Sequence, residues 1–509
     1  MEAQALVEAW ISTGRARVAA DGGVSFEAKA GPPLADKLRQ AYRWIAQNAV
    51  YSPYEDLEFA TGSTLVQGEA RVELPGGEGY ASFLLLPLLT LITSRRLLFI
   101  GAPGRGKTTV ATLMALLTGE GLQEARRSIQ HGHPQLTIAD LLGAPLPSEL
   151  IRAERGAGVA VEWRRWIGKR VKIIDEYNRI PTKTQSALLS LMAEGYAEMY
   201  EQVIEAGRSA WFLTANDELG GGTFPVIEAL KDRIDVVVRC TPFHGRYLDA
   251  LVERIEASRT PEEFVPSQLI FSAQELDEID AQVRAVPVPA DVREVLGFAL
   301  GQLDFCRRAS DRLEAMNKDT LHVAGRKVGH VCTEDCPLDK QEHLCTQTES
   351  GVSARAYQTL IHYAKAMAYV RGQAEVSVQD VRQLMPWVLH EKVLPNVHSP
   401  FFQKAEHQVY LVDKAAWLRQ LFDRALAQRA AYAPLREPVR ELQVQLSSRL
   451  EGLSSAELRQ GAAAARRQME ELLRRSELSG PVHEDLLLLK SLYGRCQAEL
   501  ARRAAGRSA

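Results

Sequence analysis

Three glycines, a lysine and two threonines crowd into the run Gly101-Ala102-Pro103-Gly104-Arg105-Gly106-Lys107-Thr108-Thr109. Gly101, Gly106, Lys107 and Thr108 keep the spacing G-x-x-x-x-G-K-[ST], which is specific in its physics. Glycines let backbone N–H groups turn inward onto phosphate oxygens, and a following helix adds the positive end of its dipole. Lys107 then reaches the β and γ phosphates, and Thr108 offers a hydroxyl to Mg²⁺. Pro103, Gly104, Arg105 and Thr109 complete the cradle, so a nucleoside triphosphate with Mg²⁺ is the expected occupant.

Hydrolysis needs more than a cradle. It takes an acid to hold the metal and a group to orient or deprotonate water. Val171-Lys172-Ile173-Ile174-Asp175-Glu176 supplies both at the end of an apolar run, 68 residues after Lys107. Asp175 is the expected metal-holding carboxylate and Glu176 the group that polarises the attacking water.

These residues require elements to place them. Leu97 to Ile100 reads as the strand before the loop and Val110 to Leu117 as the apolar helix after it. From about 80 to 245 strand-like and helical runs alternate, the signature of a mostly parallel sheet with helices on both faces. Residues 246–398 read as all-helical apart from a polar Cys- and His-rich insert at 329–345, and residues 399–509 read as helix. Residues 1–79 read as an N-terminal extension with Gly- and Pro-bearing segments. In the last region Leu458, Ala462, Ala465, Met469 and Leu472 step by four and three behind a Ser454/Glu457 capping box. After the break at Ser479-Gly480-Pro481, Leu489, Leu492, Cys496 and Leu500 resume, which suggests a helical hairpin.

Composition bounds the function. The 509 residues are 46% hydrophobic and 25% charged, with a formal charge of −3. That balance is ordinary for a soluble protein and does not ask for duplex DNA as partner. The most apolar stretch, Phe83 to Ile92, contains Pro87 and stops at Ser94-Arg95-Arg96, short of the roughly 20 residues that span a bilayer. The acidic, amphipathic start lacks the order of a secretory signal, and six cysteines are too few for a disulfide framework. A cytoplasmic protein is expected.

The run DEYNRIPTKTQSALLSLMAEG from Asp175 resembles the MoxR family of AAA+ ATPases, and three later features continue the likeness in order. WFLTAN ends in Asn216, matching the sensor-1 residue of AAA+ proteins. GGTFPVIEALKDRID resembles the stretch around the family's arginine finger, at Arg233. GVSARA resembles the sensor-2 motif, with Arg355 as its arginine. The likeness covers about 80 to 395. It implies an α/β P-loop AAA+ core, with a parallel sheet and helices on both faces, followed by an all-α lid and a helical C-terminal region.

It also implies roles. Glu176, Asn216, Arg233 and Arg355 would form the catalytic set, with Asn216 orienting water or sensing the γ-phosphate. Arg355 would contact the phosphates of its own subunit and Arg233 would reach into a neighbour's site. A ring follows, usually hexameric, that spends ATP on remodelling a protein client, often beside a partner with a von Willebrand factor A domain; residues past 400 are a candidate docking surface. Arg179 is a further candidate for the subunit interface. Two other classes stay open: an ATP-dependent switch or scaffold in which binding sets assembly, and a nucleic-acid-directed motor.

Two segments depart from that family. In GHVCTEDCPLDKQEHLC, Cys332, Cys336, His343 and Cys345, with His330 in reserve, supply enough thiolate and imidazole for a structural, tetrahedral Zn²⁺. Reduced thiols in a loop and a redox pair are the alternatives. Between the two phosphate-site motifs, Trp163 and Trp166 flank Arg164-Arg165, a mix that suits a client or nucleic-acid contact but more often marks packing. His131 and His133 have no carboxylate or cysteine at ligand spacing and receive no role.

Overall fold

The computed structural model describes residues 33–50, 53–59, 78–146, 159–216, 232–258, 260–332, 336–341, 343–447 and 452–505, together with the short strands at 16–18, 24–26, 64–67 and 70–73. Most of the N-terminal extension and residues 221–231 of the GGTFPVIEALKDRID stretch lie outside the described residues. The chain forms two compact units, one of residues 1–288 and 362–380 and one of residues 289–361 and 381–509.

The first unit is built on five parallel strands: β1 (Arg96–Ile100), β2 (Ile129–His131), β3 (Val171–Asp175), β4 (Ala210–Ala215) and β5 (Val236–Arg239). Their spatial order is β5-β1-β4-β3-β2. The interior strands β1, β3 and β4 are short apolar runs, as expected where helices cover both sheet faces, and all six residues of β4 are buried. Being parallel, the strands open their C-terminal ends on one edge. The chain leaves β1, β3 and β4 there at Ile100, Asp175 and Ala215, the usual ligand edge of an open α/β sheet.

Helices α2 (Ser82–Thr93), α3 (Lys107–Leu117) and α4 (Thr182–Glu194) flank the sheet, and α1 (Pro33–Trp44) and α5 (Ala273–Ala285) pack on α2. The apolar run noticed in the sequence is α2, all twelve residues of which are buried. It packs on β1, β4, β5, α1, α3 and α5, which explains why it is hydrophobic on every side. Its first turn is capped from a distance: Ser82 donates to Asp56 from its backbone N at 2.7 Å and from its Oγ at 2.8 Å. Among the described residues, no helix is long and apolar enough to cross a membrane.

Trp166 settles into the same unit's core, 3% exposed, where its Nε1 donates to Leu141 O at 2.7 Å and its ring meets Trp211 edge-on. Trp163 packs against that core, while Arg164 and Arg165 are exposed. Trp166 is therefore a packing residue.

The second unit is helical. It contains α6 (Ala290–Gly301), α9 (Lys414–Ser447), α10 (Ser455–Arg475) and α11 (Gly480–Ala505), with α7 (Ala354–Val370) and α8 (Val378–Leu389) shared between the units in sequence. Ser454 and Glu457 form the capping box of α10 reciprocally, Ser454 N donating to Glu457 Oε2 at 2.6 Å and Glu457 N to Ser454 Oγ at 3.2 Å. Leu458, Ala462, Ala465 and Leu472 are buried against Leu489, Leu492 and Cys496 of α11. Val439 and Leu446 of α9 join those cores, so the hairpin packs as part of a three-helix bundle.

Candidate active site

The phosphate loop leaves β1 and enters α3 through Gly106, which takes φ +76° as the residue preceding the helix. Gly104 takes φ +75°. Both angles lie in the left-handed region that side chains with a Cβ avoid. Lys107 begins the helix and is only 7% exposed. Its Nζ donates to Gly101 O at 2.5 Å, Ala102 O at 3.0 Å and Asn216 Oδ1 at 2.8 Å.

Asp175 closes β3 beside that loop. Its Oδ1 accepts from Thr108 Oγ1 at 3.1 Å and from Thr214 Oγ1 at 2.6 Å. Thr214 is fully buried on β4 and also accepts the backbone N–H of Glu176 at 2.9 Å. One hydroxyl thus fixes both acids. Glu176 takes φ +53°, a sparsely populated conformation for a non-glycine residue and one that clusters at functional sites. The turn aims its carboxylate at Asn216, whose Nδ2 donates to Oε1 at 2.6 Å, while Arg179 Nη1 lies 3.2 Å from Oε2.

Residues Pro103 to Thr109, Asp175, Glu176 and Asn216 line one cleft of about 420 Å³. The structure therefore gathers the sequence-derived loop and Gly106, Lys107, Thr108, Asp175, Glu176 and Asn216 into a single site. A carboxylate and a hydroxyl 3.1 Å apart at its mouth are hard oxygen donors of the kind Mg²⁺ takes, and the residues present fit that ion.

The two arginines are carried by other elements. Arg233 precedes β5, which runs parallel to β1 with Val236 opposite Leu97. It therefore sits at the edge where β1 begins, away from the phosphate loop of its own chain. Arg355 is the second residue of α7 and falls in the second unit.

Three neighbours of the acids were not legible beforehand. Thr214 was visible only as a hydroxyl in an otherwise apolar strand. His131 stands opposite Asp175 in the β2–β3 register, its Nδ1 3.4 Å from Asp175 Oδ2. Gly132 N donates to Asp175 O at 2.7 Å, and a Cβ there would lie 2.3 Å from Glu176 O. Lys172, three residues before Asp175, is buried; its Nζ donates to Lys169 O at 2.6 Å and Ala206 O at 3.1 Å. Burial pushes its ammonium down from 10.5 to about 7, against a weaker opposing pull from Glu120.

The zinc expectation is not supported by the arrangement of its ligands. Among the described residues no group of three or more His, Cys, Asp or Glu side chains is arranged to hold a metal ion. His343 turns its Nε2 to Glu477 Oε2 at 3.3 Å, and His330 is exposed on a short helix. Cys332, Cys336 and Cys345 are free thiols that couple electrostatically to one another and to Cys306. Burial, ahead of that mutual repulsion, pushes Cys332 up to about 11 and Cys345 up to about 12.

Sheet order, phosphate loop and paired acids define an AAA+ ATPase fold, an α/β nucleotide-binding core with a helical lid. Residues 96–236 match the ATPase family associated with various cellular activities (AAA), and residues 340–409 match the AAA lid domain. The chain is similar to the uncharacterized protein YeaC of Bacillus subtilis (strain 168), 22% identical over 326 residues, which are 64% of this chain and 85% of that protein. It is also similar to a solved structure from Cytophaga hutchinsonii described as a provisionally assigned ATPase, with 17% identity and a TM-score of 0.48 over 76% of this chain and 94% of that one.

Proposed function

We propose that this chain is a Mg²⁺-dependent ATP hydrolase of MoxR type that works as a ring and couples turnover to remodelling of a protein client. The observation that carries the hydrolase reading is the continuous hydrogen-bonded line from Lys107 through Asn216 to Glu176, beside the Thr108–Asp175 pair. A protein that only bound nucleotide would need the first and last of these contacts but not a carboxylate aimed from a strained turn.

In this reading Lys107 holds the β and γ phosphates, and Thr108 and Asp175 hold the metal. Bound Mg²⁺ would neutralise charge that develops on the phosphate oxygens. Glu176 accepts a proton from water as its oxygen bonds to the γ-phosphorus and the bond to the β–γ bridging oxygen breaks, giving ADP and inorganic phosphate. Asn216 orients Glu176 and that water. Arg233, placed before β5 at the end of the sheet where β1 begins, is assigned to a neighbouring subunit's site, where a charge supplied in trans is worth about 10³ to 10⁵ in rate. Arg355 keeps the sensor-2 role that the resemblance implies. The hexameric count, the von Willebrand factor A domain partner and docking on residues 399–509 rest on the resemblance alone.

The test compares wild type with Glu176→Gln. Hydrolysis should fall by about 10² to 10⁴ while a fluorescent ATP analogue binds as before. Unchanged turnover would remove Glu176 from the mechanism, and strong stimulation of the wild type by nucleic acid would favour the motor alternative.

A further inference from the structure

Asp175 presents two unlike oxygens. Oδ1 is occupied by the Thr108 and Thr214 hydroxyls, whereas Oδ2 faces His131 Nδ1 at 3.4 Å. The two side chains are neighbours by register, Asp175 pairing with His131 on adjacent parallel strands, so both leave the sheet on the same face. The backbone holds that juxtaposition. Gly132 N is bonded to Asp175 O at 2.7 Å, and only a residue without Cβ fits against the carbonyl of Glu176. His131 itself remains 72% exposed in its side chain, so core packing does not account for its position.

We propose that His131 is a specificity residue for the divalent cation that accompanies the nucleotide, adding an imidazole nitrogen to the oxygen donors of Thr108 and Asp175. This rests on the nucleotide-site reading above. A purely oxygen site favours Mg²⁺. An imidazole raises affinity for first-row transition ions along the series from Mn²⁺ toward Ni²⁺. With His131 present the site takes Co²⁺ in preference to Mg²⁺ by more than the nucleotide alone would.

The experiment measures binding of a non-hydrolysable fluorescent ATP analogue to full-length protein as free Mg²⁺ or free Co²⁺ is raised, for wild type, His131→Ala and His131→Gln. The exposed position makes both variants compatible with folding, which binding in Mg²⁺ verifies. His131→Ala and His131→Gln should each raise the Co²⁺ requirement by about tenfold and the Mg²⁺ requirement by less than about twofold. Equal changes with both ions, or none with Co²⁺, would overturn the proposal. Metal-independent binding by the wild type would instead overturn the assignment of Thr108 and Asp175, and this proposal with it.

Discussion

Asn216 Nδ2 donates to Glu176 Oε1 at 2.6 Å. The contact joins the end of β4 to the turn after β3 and sets the direction of the carboxylate assigned to the attacking water. Asn216→Ala should lower kcat by about 10²-fold through misorientation of the reacting groups. The dissociation constant for nucleotide should move only a few-fold, since Lys107 keeps its carbonyl partners. Steady-state kinetics beside fluorescence binding separates the two effects.

Thr214 is the buried hinge of the acid pair. Thr214→Val keeps shape but leaves Asp175 Oδ1 with one donor fewer and Glu176 N–H without its acceptor. Stability should fall by about 1 to 3 kcal/mol, read from urea unfolding without nucleotide. The Mg²⁺ concentration needed for half-maximal turnover should rise in the same variant.

Lys172 gives a pH signature. Its folded value near 7 lies below the 10.5 of the free side chain. Between those values the unfolded chain carries the proton and the folded chain does not, so stability contributed by this group rises with pH from about 7 toward 10.5 and is lowest below 7. In Lys172→Met that contribution disappears. The difference in urea midpoint between wild type and variant should therefore depend on pH over this window, with the wild type gaining relative to the variant as pH rises.

What the sequence made legible follows from how local each signal is. The loop at 101–109 and the acids at 175–176 are contiguous motifs, and the alternating runs around them sufficed for an α/β core. The hairpin of α10 and α11 was legible because Ser454, Glu457 and the apolar spacing all act within one or two turns. His131 was not, because its partner Asp175 is 44 positions away and meets it only through strand register. The zinc expectation lacks support for the same physical reason: His343 is near the cysteines in sequence, yet its ring is directed to Glu477 between α10 and α11. The neighbouring thiol, Cys306, is 26 positions before Cys332 in the chain and meets it only through the fold.

A composite site, completed by Arg233 from a second subunit, is tested most directly by mixing two inactive proteins. Glu176→Gln supplies an intact Arg233 but no competent carboxylate; Arg233→Ala supplies the reverse. If the subunits exchange in a head-to-tail ring, about one interface in four of an equal mixture combines an intact Glu176 with an intact neighbouring arginine. ATP hydrolysis should then rise well above the sum of the two separate proteins. Activity that stays at that sum after exchange, or an Arg233→Ala protein as fast as wild type at every concentration, would contradict the account.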